Sequence, residues 1–110
     1  MFEEIASSEL TESDIPSPDA DWGRIGAFAL TFNGYEARAP SGKCGQIANQ
    51  WAKRYAEQQE LPDSLKELRT CLFFEQRRWR HFGYHPDDGA MTYIRALVEK
   101  IRRRVEAQEA

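Results

Sequence analysis

The chain has no apolar run near the roughly 20 residues needed to cross a bilayer, and its first residues, Met1-Phe2-Glu3-Glu4, are acidic where a secretory leader is basic. A cytoplasmic protein with no membrane partner is therefore expected. Cysteine is scarce too. Cys44 and Cys71 are the only two, and they show neither C-x-x-C nor zinc spacing, so both read as reduced core thiols rather than as a disulfide or a metal site.

Basic residues are missing from residues 1–22, which hold seven acids: Glu3, Glu4, Glu9, Glu12, Asp14, Asp19 and Asp21. The other 88 residues carry 15 bases and 11 acids, so the net charge of −3 divides into −7 and +4. Residues 1–20 also contain serines and the spaced Pro16 and Pro18. Such a composition buries too little apolar surface to offset the entropy of ordering. A flexible acidic tail over residues 1–20 is expected ahead of a single domain over residues 21–110. Phe2, Ile5 and Leu10 support at most a weak amphipathic turn. A tail of this charge can fold back on a basic body and compete with an anionic ligand.

Motifs that would fix a reaction are absent as well. Gly42-Lys43 ends like a phosphate-binding loop, but Ala37 stands where its first glycine belongs and Cys44 where Ser or Thr would coordinate magnesium. There is no Gly-x-Ser-x-Gly elbow, no dinucleotide fingerprint and no catalytic carboxylate pair. No cofactor, metal or catalytic residue is assigned on this basis.

Aromatic residues are plentiful: six Phe, four Tyr and three Trp in 110 residues give one domain ample material for a core. Residues 24–38 carry Ile25, Ala27, Phe28, Leu30 and Phe32, then Asn33-Gly34, then Tyr35 and Ala37. Phe28, Leu30 and Phe32 fall two apart, on one face of a strand, and Asn-Gly favours a tight hairpin turn. Ala39-Pro40-Ser41-Gly42 ends this segment.

Cys44, Ile47, Ala48, Trp51, Ala52 and Tyr55 then recur at helical spacing to about Gln59. Leu61-Pro62-Asp63-Ser64 stops that helix and starts another, with Ser64 and Glu67 forming a capping box and Asp63 as the competing cap. The second helix runs to about His81. Gly83, Pro86 and Gly89 mark a loop, and Asp87 or Asp88 caps a third helix bearing Met91, Ile94, Leu97, Val98, Ile101 and Val105. The expected fold is α+β: a short N-terminal β-hairpin packed on a three-helix bundle. Its core would hold Phe28, Leu30, Phe32, Ile47, Trp51, Tyr55, Leu65, Leu68, Leu72, Trp79, Ile94, Leu97, Val98 and Ile101.

Within the second helix, Phe73 and Phe74 leave the main apolar stripe at other angles, so the helix is either central or faces a partner. Glu75 falls in the stripe and needs a partner, for which Arg78, Arg80, Arg24, Arg38 and tyrosine hydroxyls are candidates. From Glu75 to His85 the chain concentrates arginines, histidines and aromatics, the chemistry of recognition surfaces. Arg77, Arg80, His81, Tyr84 and His85 are the expected partner-binding residues. The leading functional expectation is a non-catalytic protein–protein interaction or regulatory domain of bacterial accessory type, binding a protein partner or a second copy of itself.

Two other classes stay open. Arg77, Arg78 and Arg80 together with Arg102, Arg103 and Arg104 are suited to nucleic-acid phosphates, with Phe82 or Tyr84 stacking on bases and the acidic tail as an autoinhibitor. Against this, the pI is near 5.4, and cations at a helix C-terminus also answer its dipole. Alternatively, Glu75 with His81 or His85 would serve a small enzyme if a pocket gathered them. The His81-x-x-x-His85 spacing is not read as a metal site, because Gly83 and Pro86 break the helix and no third ligand is placed.

Overall fold

The computed structural model of the chain describes residues 14–31, 41–81, 83 and 85–109. Four helices follow one another: α1 (Trp22–Leu30), α2 (Ser41–Gln58), α3 (Leu65–His81) and α4 (Asp88–Glu109). No strand occurs among the described residues, so the expected α+β fold with a β-hairpin is corrected to an all-helical one.

The first arm of the expected hairpin is α1. Asp21 caps it, its Oδ1 accepting from the Arg24 N–H at 2.8 Å, and Thr31 closes it by donating its N–H and Oγ1–H to the Phe28 carbonyl at 3.0 and 2.7 Å. Ile25, Phe28 and Ala29 are buried, a helical i, i+3, i+4 set, whereas Leu30 is 39% exposed. A strand would have placed Phe28 and Leu30 on the same face. Period 3.6 wins because it buries Ile25 and Ala29 along with Phe28. Asn33-Gly34, Phe32, Tyr35 and Ala37 lie outside the described residues.

Helix α3 is the centre of the molecule and packs against each of the other three helices. Its apolar residues leave it in several directions: Leu65, Leu68, Cys71, Leu72 and Phe73 are all buried, and Phe74 is half-buried. Ser64 caps it, with Oγ accepting from the Glu67 N–H at 3.4 Å. Asp87 caps α4 through the Ala90 N–H at 2.8 Å. Met91, Ile94, Leu97, Val98, Ile101 and Val105 of α4 are buried as their spacing predicts, and Tyr93 joins them.

Helices α3 and α4 run antiparallel. Lys100, late in α4, reaches back to Asp63 Oδ1 at 2.9 Å and to the Leu61 carbonyl at 3.3 Å, just before α3 begins. Helix α2 is more peripheral. Ile47, Trp51 and Tyr55 are half-buried on it, although the Tyr55 ring meets that of Tyr93 at 5.0 Å between centroids.

Residues 14–20 lie along α4, and residues 1–13 fall outside the described residues. Ile15 is buried at 4% exposure. Arg102 Nη1 donates to its carbonyl at 2.9 Å, and Arg95 Nη1 donates to the Pro18 and Ala20 carbonyls at 2.6 and 3.3 Å. Two α4 arginines thus bind the backbone of this segment while one side chain anchors it. Among the described residues, no helix is long and apolar enough to cross a membrane.

Candidate functional site

The C-terminal half of α3 and one face of α1 enclose a groove of about 450 Å³, within the size range of ligand pockets. Helix α1 contributes Trp22, Gly23, Gly26, Ala27 and Leu30, α3 contributes Gln76, Trp79 and Arg80, and Gly83 and His85 close one end. On α1 these positions follow the spacing i, i+1, i+4, i+5, i+8, which runs up one side of a helix. Small residues at Gly23, Gly26 and Ala27 leave the space that larger side chains would fill. At Gly26 the helices approach closely, since a Cβ there would stand 3.8 Å from Gln76 Cγ.

Two indoles flank this space. Trp22 and Trp79 are both half-buried, and the Trp22 ring meets His85 edge-on at 6.3 Å. His85 Nδ1 lies 2.9 Å from the Pro86 carbonyl; since a carbonyl can only accept, Nδ1 carries the proton. Trp79, expected in the core, packs half-buried against it and also forms a wall of the groove, with its Nε1–H donating to Glu75 Oε1 at 3.4 Å.

Glu75 is buried at 5% exposure, as its place in the apolar stripe implies. Arg78 Nη1 stands 3.8 Å from Oε2, and Arg78 Nη2 reaches Asn49 Oδ1 on α2 at 3.4 Å. Burial raises the Glu75 pKa, and Arg78 and the Trp79 hydrogen bond oppose the shift only in part. Cys71, one turn earlier, has its thiol pushed up to about 12 by burial and interacts with the buried Tyr93 phenol. A thiol so strongly protonated is a packing group, not a nucleophile. The side chain of Cys44 lies outside the described residues.

The structure gathers some of the expected site residues and separates others. Arg80 and His85 line the groove. Arg77 is exposed and does not line the groove; its guanidinium lies over the Phe73 and Phe74 rings at 5.7 and 5.8 Å. Tyr84 and the His81 side chain lie outside the described residues. Glu75 and His85 share no hydrogen bond: the carboxylate faces Trp79 and Arg78, and the imidazole faces Pro86 and Trp22. No three His, Cys, Asp or Glu side chains among the described residues are grouped to hold a metal ion.

The two arginine groups stand at opposite ends of α3. Arg77, Arg78 and Arg80 belong to its C-terminal turns, whereas Arg102, Arg103 and Arg104 sit beyond Lys100, which contacts the residues before its first turn. At 1.5 Å per residue, about 20 Å separates them along the axis. Arg102 holds the Ile15 carbonyl, Arg103 pairs with Glu99 at 2.9 Å, and Arg104 acts on Asp63.

Sequence reasoning missed the whole α1 wall, including Trp22. The signal was available in Asp21 as an N-cap followed by Trp22, Ile25, Phe28 and Ala29 at helical spacing. The fold and groove together define the class: a small helical protein, with four packed helices among the described residues and an aromatic cleft bordered by Arg80. The chain matches no known protein family, no curated protein and no solved structure.

Proposed function

We propose that this chain is a non-catalytic interaction domain whose docking site is the groove between α1 and α3, taking a large apolar or aromatic side chain from a protein partner. The observation that supports this reading is that two half-buried tryptophans flank a cleft lined by small residues. Leaving indole and Leu30 surface in water forfeits free energy that burial against a partner recovers. Aromatic anchors entering such clefts, with arginine nearby, are the usual source of binding energy at protein interfaces.

Nucleic-acid binding is the weaker reading. The arginines it needs stand on two separate faces, and Arg78, Arg102 and Arg103 already serve Glu75, the Ile15 carbonyl and Glu99. An enzyme built on Glu75 and His85 is weaker still, because the two face different partners.

Affinity capture from the host with wild type and with Leu30→Glu, each with and without nuclease, tests the proposal. A protein retained by wild type, lost with the variant and insensitive to nuclease is the expected result, to be confirmed by calorimetry with that purified protein. A second copy of this chain, seen as a dimer in sedimentation that Leu30→Glu dissociates, would identify the partner as itself. Retention unchanged by Leu30→Glu, or abolished by nuclease, would overturn the groove as a protein-docking site.

A further inference from the structure

The lining of the groove is one-sided in charge. Its described residues include Arg80 and His85 but no Asp or Glu. Four cations elsewhere stand within 4 Å of a carboxylate: Arg54 with Glu60, Arg78 with Glu75, Lys100 with Asp63 and Arg103 with Glu99. Arg80 is exposed on the last turns of α3 and has no such partner among the described residues. Arg77, three residues earlier and so its neighbour on the helix surface, is held by aromatic rings rather than by a carboxylate.

The nearby acids Asp21, Asp87 and Asp88 are not among the groove's described lining residues. Asp21 is occupied by the Arg24 N–H, Asp87 by the Ala90 N–H, and Asp88 lies in the first turn of α4. Glu75 is buried behind Trp79 and neutralised in part by Arg78. On the His85 ring, Nδ1–H is committed to the Pro86 carbonyl, which leaves Nε2 as the nitrogen open to a ligand. The cleft therefore couples an apolar floor to the Arg80 guanidinium on its edge.

We infer that the partner segment seated in this groove is acidic: an apolar or aromatic side chain enters between Trp22 and Trp79, and a flanking carboxylate meets Arg80. The inference rests on the reading of the groove as a docking site and adds the charge of its occupant. A guanidinium accepts a carboxylate in bidentate geometry, which fixes the register of the bound segment as well as attracting it. Repulsion from Arg80 disfavours basic segments with the same apolar anchor, so charge supplies selectivity and the cleft supplies burial.

Fluorescence anisotropy with the full chain and short labelled peptides of equal length separates these contributions. One peptide carries Phe flanked by Asp and Glu, a second carries Phe flanked by Lys, and a third replaces that Phe by Ala in the acidic frame. Single-stranded DNA of matching charge is the fourth probe. The acidic Phe peptide should bind at least about tenfold more tightly than each of the others. Arg80→Ala should weaken it by about tenfold, and Arg80→Glu should shift preference toward the Lys-flanked peptide.

Equal affinity for the acidic and basic Phe peptides would overturn the inference while leaving the groove as a docking site. Equal affinity for the acidic Phe and Ala peptides, or binding unchanged by Leu30→Glu, would overturn both, because charge would then act without the cleft. DNA competing more strongly than the acidic Phe peptide would overturn both in favour of a nucleic-acid ligand. Failure of any Phe peptide to bind would also remove both. Arg80 and Leu30 are exposed, so each variant should keep its helices, which far-UV circular dichroism checks.

Discussion

Trp79 Nε1 donates to Glu75 Oε1 across one turn of α3, so an indole on the groove wall is aligned by a carboxylate beneath the surface. Glu75 is thus a structural residue with a consequence for the groove. Glu75→Ala removes an acceptor and leaves Arg78 and the indole N–H without it, at a cost of about 1–3 kcal/mol. Urea denaturation measures the loss, and a change in tryptophan emission would report the freed indole.

The same carboxylate sets a pH dependence. Burial raises its pKa above the ordinary 4.5, so the native state binds the proton more tightly than the unfolded chain does. Stability attributable to Glu75 is therefore highest in acid and declines as pH rises from about 4.5 through the folded-state pKa. Against Glu75→Gln, wild type should lose stability over that interval, and the difference should level off at higher pH. A difference independent of pH across denaturation curves from pH 4 to 8 would show the carboxylate to be fully hydrated.

Phe28 and Leu30 distinguish a helix from a strand by experiment. On α1 the first is buried at 7% exposure and the second is 39% exposed. Phe28→Ala should therefore cost about 3–5 kcal/mol, and Leu30→Ala within about 0.5 kcal/mol. A strand would give comparable losses at both positions. Paired thermal unfolding of the two variants decides it.

What could be read from the residues beforehand follows the physics of each element. Helices α2, α3 and α4 each repeat an apolar stripe over several turns, and Ser64 and Asp87 punctuate two of them, so period and caps agree. Helix α1 has only nine residues, in which Phe28 and Leu30 fit a period of two while Ile25, Phe28 and Ala29 fit 3.6. Asn33-Gly34 tipped that ambiguity toward a hairpin. Arg80 and His85 were legible as recognition chemistry, but the cleft they border was not. It is formed where α1 packs beside Gln76 and Trp79 of α3, a contact between distant parts of the chain that no local pattern encodes.

Ile15 provides a test of the segment along α4. Its side chain is buried in the main core, and Arg95 and Arg102 bind backbone carbonyls around it. Ile15→Ala should cost about 2–5 kcal/mol, the range for deleting a buried aliphatic side chain. Hydrogen exchange should show faster exchange at Ala20, whose N–H donates to the Ser17 carbonyl at 2.9 Å, with little change at Leu97. Unaltered exchange at Ala20 would mean that the two arginines hold the segment without its anchor.

Gln59 ends α2 with φ of +57°, in the left-handed region, and its N–H donates to the Tyr55 carbonyl at 2.8 Å. A side chain in that conformation brings Cβ against the backbone, a strain that glycine avoids. Glycine also gains freedom in the unfolded chain, which offsets part of the relief. Because this position follows the last helical turn, where glycine is the common choice, the relief should dominate. Gln59→Gly is expected to stabilise the protein by about 0.5–1 kcal/mol, read as a higher midpoint in urea with an unchanged slope. Gln59→Val, whose branched Cβ tolerates positive φ least, should lower the midpoint and so bracket the effect from the other side.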